Sequence, residues 1–134
     1  MQYSRLLLVC GLFLAVACAP LEPTPPISET CLNTYAVEVC AKLSGENLLV
    51  ANNTEKDIYL SAFPERILPV VLWTPVTDPR IGIKVAAKSF VNFNRDRFHI
   101  QERDTVLLSW WHLGEYVRDS LYNPDSVRSI RVFP

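Results

Sequence analysis

Glycine is scarce in this 134-residue chain, with four residues in all, so no stretch can wrap a phosphate in backbone amides as a glycine-rich loop does. Histidine is scarcer, with two residues, His99 and His112, which leaves little material for a metal centre or an acid–base pair. No excess charge of either sign is present: 13 Lys and Arg face 14 Asp and Glu, and Arg5 is the only charged residue among the first seventeen. With no basic stripe and no acidic tail, a nucleic-acid partner is disfavoured. Long apolar runs are missing as well. The longest, residues 6–16, would span only ~17 Å as a helix against a hydrocarbon core of ~30 Å. Helical periodicity is nearly absent, and residues 114–122 hold one helical turn at most. Ser109 and Ser120 lie in no nucleophile-elbow pattern. No catalytic, metal or cofactor motif stands out, and the reading is of a non-enzymatic chain without a cofactor.

What is present begins with an export signal. Met1 to Arg5 form a short, positively charged start, residues 6–16 an apolar stretch, and Ala15, Val16 and Ala17 put small residues at the −3 and −1 positions before Cys18. The segment Leu14-Ala15-Val16-Ala17-Cys18 resembles the lipobox of bacterial lipoproteins, departing from it at −3, where Ala15 stands in place of the commoner Leu. The resemblance implies removal of residues 1–17 and acylation of Cys18. Because Ala19 is not the Asp that holds such lipoproteins in the inner membrane, it also implies an outer-membrane address, with the folded part facing the periplasm. Several acyl chains at ~0.8 kcal/mol per buried methylene would anchor the chain permanently. The alternative is ordinary cleavage after Ala17, with an unmodified Cys18.

Residues 18–30 read as a tether. Four of the ten prolines lie there, Pro20, Pro23, Pro25 and Pro26, and favour a semi-rigid polyproline II spacer at ~3.1 Å per residue. With Cys10 in the leader and Cys18 at the lipid, Cys31 and Cys40 remain as an even pair in an oxidising compartment. Either they form a disulfide, which requires the chain to turn back near Asn33, or they are two free thiols.

Residues 31–134 read as one domain. Short β-prone runs at 35–41, 48–51, 58–63, 70–74, 83–87, 89–93, 98–101, 105–113 and 127–133 alternate with turn signals about every ten residues. This pattern predicts an all-β fold, an antiparallel β-sandwich of immunoglobulin-like architecture with seven to nine short strands, although the Cys–Trp–Cys spacing of antibody domains is absent. Phe98, Ile100, Val106, Leu108 and Trp110 share one parity around the polar Glu102, Arg103 and Asp104, which predicts a hairpin with that face inward.

Trp111 then points away from Trp110 and is the candidate surface anchor for a partner, unless its strand is covered on both faces. Arg95, Arg97 and Arg103 interleave with Asp96, Glu102 and Asp104 into a charged rim whose signs nearly cancel. Asn52, Asn53 and Thr54 match a glycosylation sequon that matters only in a eukaryotic host. The function that fits is a lipid-anchored binding or assembly module with an envelope protein as partner. The alternative is a small inhibitor of an exported hydrolase, acting through a loop at 64–69 or 77–82. An enzyme built on His99 and Glu102 is a third, weaker reading.

Overall fold

Branched and aromatic residues in runs of four to seven, cut by polar turns, give an all-β chain of antiparallel sheets. The computed structural model describes residues 38–119 and 121–134, so the leader, the tether, Cys18 and Cys31 lie outside the described residues. Nine strands occur among them: β1 (Val39–Ser44), β2 (Asn47–Asn52), β3 (Ile58–Pro64), β4 (Ile83–Val85), β5 (Ser89–Asn94), β6 (Val106–Trp111), β7 (Leu113–Arg118), β8 (Leu121–Pro124) and β9 (Arg128–Val132).

They form a three-stranded sheet in the order β1-β2-β5, a four-stranded sheet in the order β4-β3-β6-β9, and the two-stranded ribbon β7-β8. The expected turn between β1 and β2 is present, and Gly45 closes it at φ 53, a left-handed conformation that glycine adopts without steric cost.

The two larger sheets share one hydrophobic core. Alternation places Val39, Ala41 and Leu43 of β1, Leu48 and Val50 of β2, Ile58, Leu60 and Ala62 of β3, and Val106, Leu108 and Trp110 of β6 in it. Each Val, Leu or Ile among them, fully buried, stabilises by roughly 1.5–3 kcal/mol. Phe98 and Ile100 join the same core, as their parity predicts, but the hairpin does not form. Residues 95–98 make a 3-10 turn, the Asn94 side chain accepts the Asp96 N–H at 2.8 Å, and His99 sits at φ 55, which no strand continues through. β6 pairs instead with β3 and β9. Residues 114–122, read as holding one helical turn at most, carry the paired strands β7 and β8. Asp119, just past β7, adopts a left-handed conformation at φ 51. The strand expected at 70–74 is extended but pairs with nothing regularly; it follows the 3-10 helix Glu65–Val70.

Candidate functional site

The side chain read as a surface anchor is buried. Trp111 has 0% exposure, because residues 71–82 cross the outer face of the four-stranded sheet as a strap. Trp73 fixes that strap: its indole N–H donates to Ser61 Oγ at 2.9 Å, and its ring packs against Phe63 at 6.2 Å and Trp111 at 5.8 Å. The Trp111 indole N–H in turn donates to the carbonyl of Val76 at 3.2 Å. β6 is thus central in its sheet and covered on both faces. At the far end of the strap Gly82 lies against Tyr59, and a Cβ there would stand 2.6 Å from the Tyr59 ring.

The strap and Val70 just before it carry the most exposed apolar side chains among the described residues. Val70 and Leu72 point outward while Val71 and Trp73 are half-buried, so an extended segment presents one face to solvent. Its last turn is set by Asp78, whose carboxylate accepts from the Arg80 side chain at 2.6 Å and from the Arg80 backbone N–H at 2.9 Å. These bonds pull the Asp78 carboxyl down to about 2 from the ordinary 3.8. A depressed carboxyl supports the fold above its unfolded value, and that support is lost as pH falls through its folded value. An NMR titration should therefore place the Asp78 midpoint near 2, and Arg80→Ala should return it toward 3.8. An unchanged midpoint in the variant would show that Arg80 is not the cause.

The two histidines stand at opposite ends of β6. His99 is exposed beside Phe98, Ile67 and Ile83 in a mostly apolar cleft of about 210 Å³. His112 lies in a separate cleft of about 410 Å³ with Lys56, Asp57, Tyr59, Pro79, Leu113 and Tyr122, its Nδ1 2.9 Å from the carbonyl of Asp57. They share no cleft, so the pair builds no common acid–base site. Among the described residues no group of three or more His, Cys, Asp or Glu could hold a metal, and no helix is long and apolar enough to cross a membrane.

The charged rim is tied into the fold at Asp104 and Arg97, while Arg95, Asp96 and Glu102 line a separate cleft of about 450 Å³. Asp104 accepts from Arg66 Nε at 3.1 Å and from the Gln101 N–H at 2.7 Å, Arg66 also donates to the carbonyl of His99, and the Arg97 guanidinium lies over the Phe93 ring.

At the other end of the domain, Asn52 is fully buried. Its Nδ2 donates to the carbonyls of Lys56 at 2.8 Å and of Val85 and Ala86 at 3.1 Å, and its Oδ1 accepts from the N–H and hydroxyl of Thr54. The sequon position is therefore a structural hub and no acceptor for a glycan. Nearby, the Ala87 N–H and then Lys84 lower the Asp57 carboxyl against the opposing effect of burial. Cys40 is disulfide-bonded on the face of β1 turned from the shared core; its expected partner, Cys31, and the lipidation candidate Cys18 lie outside the described residues.

The feature that sequence reading missed is the ribbon β7-β8. It packs only lightly on the body, its base closed by the Asp125 N–H donating to the carbonyl of His112 at 2.9 Å and its middle by Tyr116 stacked edge-on against Tyr122. Two β-prone pairs, Tyr116-Val117 and Leu121-Tyr122, around the polar 119–120 were the available signal. No family model, curated protein or solved structure matches the chain.

Proposed function

We propose that this chain is a lipid-anchored protein of the cell envelope, held at Cys18 in the outer membrane and facing the periplasm, whose domain is a non-enzymatic binding or assembly module. The observation that carries the reading is the Ala17-Cys18 junction, set between an apolar leader and a proline-rich tether. The domain is read as an immunoglobulin-like sandwich. Sheet orders β1-β2-β5 and β4-β3-β6-β9 around one core support this, since they place the connecting loops at two ends, where such folds engage partners. The disulfide at Cys40, read as its bond to Cys31, fits an oxidising compartment.

Intact mass and membrane fractionation test the anchor. The native protein is expected in the membrane fraction, heavier than the chain from residue 18 by its acyl groups, and Cys18→Ser is expected in the soluble fraction. A soluble native protein with an unacylated N-terminus would remove the basis of the reading. Crosslinking on membranes should then capture an envelope protein that Cys18→Ser fails to reach.

One observation favours inhibition of an exported hydrolase as a second reading: the extended strap with fully exposed Leu72, positioned from beneath by Trp73. It relocates the inhibitory loop from 64–69 or 77–82 to the stretch between them. An inhibitor of that kind slows an exported protease that cleaves after large apolar residues, and Leu72→Gly relieves the effect. A protease left at full rate by the parent chain retires the idea.

A further inference from the structure

We infer that the β7-β8 ribbon is a membrane-contact element, its apolar side chains resting in the headgroup region of the bilayer that carries the anchor; this rests on the anchored reading above. The argument starts from where the chain enters the domain. Glu38 precedes β1, its carbonyl accepts the Asn53 N–H at 2.8 Å, and its carboxylate pairs with Arg128 at the start of β9. The antiparallel pairing puts the start of β1, the ends of β2 and β6, and the base of the ribbon at one end of the molecule. The described chain therefore begins at the end from which the ribbon projects.

Lengths agree with this. Six residues of β7 extend about 20 Å. The twelve tether residues 19–30 span about 20 Å as a coil and about 37 Å as polyproline II. A ribbon of that length reaches the bilayer when the tether is coiled or lies along the surface, and falls short when it stands fully extended.

The surface chemistry agrees as well. A two-stranded ribbon exposed to water on its own is marginal. This one nevertheless presents Tyr116 at 61%, Val117 at 53% and Leu121 at 44% exposure, with Val127 exposed beside its base. Tyrosine with aliphatic neighbours suits the interface between headgroups and acyl chains. Glu115, Arg118 and Asp119 nearly cancel, so contact is driven by apolar area and should persist in high salt.

The test uses the acylated chain in phosphatidylcholine vesicles, plain or brominated on the acyl chains. Y116W places a reporter on the ribbon, and F133W places one at the opposite end, where Phe133 is equally open to solvent. An indole at headgroup depth should make bromine quenching of Y116W about twofold stronger than that of F133W. Adding Val117→Glu and Leu121→Glu should reduce it to the F133W level, with an unchanged melting temperature. Equal quenching of the two reporters overturns the inference. So does a Y116W emission shift that follows protein concentration and not lipid, because a second copy of the chain then covers the ribbon. Intact mass, read first, separates the two claims. If no acyl group is found, the anchored reading fails, and the same comparison on a chain coupled at Cys18 to a maleimide phospholipid still decides whether the ribbon touches lipid.

Discussion

Trp111→Ala should destabilise the domain by about 3–5 kcal/mol, the range for truncating a buried tryptophan. Domains of this size are stable by only about 5–15 kcal/mol, so a large share of the folded population is at stake. Three losses combine. The largest fully buried side chain leaves a cavity beneath the strap. The carbonyl of Val76 loses its donor, and Trp73 loses the ring on which it rests. Trp73→Ala should cost less, about 1–3 kcal/mol, because that side chain is only half-buried and the sheet beneath stays intact. The two effects should not add, since both residues act on one contact. Denaturant melts of the two single variants and the double variant check all of this. A surface anchor would behave oppositely: its truncation would stay within about 0.5 kcal/mol.

That contrast shows where sequence reading ran out. Parity in residues 106–111 correctly separates Val106, Leu108 and Trp110 from Trp111, because a strand's side chains alternate. Whether the second face is wet depends on Trp73 and Val76, which approach from thirty-five residues and more away, and no local pattern reports that. The same distinction explains Phe98 and Ile100. Their parity places them inside, but a 3-10 turn can deliver alternate residues to a core as a strand does. Choosing β3 and β9 as the partners of β6 is a long-range matter. Where both signals were local, as at Ser44 to Asn47 or across Ile58 to Phe63, turns and strands were legible. The ribbon was hidden because its side chains are mostly exposed and thus carry almost no hydrophobic alternation.

Asn52→Ala should cost about 2–4 kcal/mol, as the loss of a buried polar group with several partners requires. The alanine leaves the carbonyl of Val85 without its buried donor, releases the Lys56 and Ala86 carbonyls, and frees the Thr54 N–H and hydroxyl. It thereby loosens the join between the β2–β3 turn and the β4–β5 turn at the end where the chain enters. Asn52→Asp is the more discriminating change, because it keeps the shape and the acceptor toward Thr54. It replaces an amide donor with a carboxylate that faces three carbonyl oxygens. The charged form is disfavoured there by burial and by those dipoles, so the folded carboxyl should titrate above the ordinary value of about 3.9. For such a raised group the penalty is absent below the unfolded value and grows as pH rises toward the folded one. The Asp variant should therefore approach parental stability near pH 4 and fall furthest behind it at pH 7, while the Ala variant keeps a constant deficit. Parallel curves for the two variants would show that the amide donor is not what joins the turns.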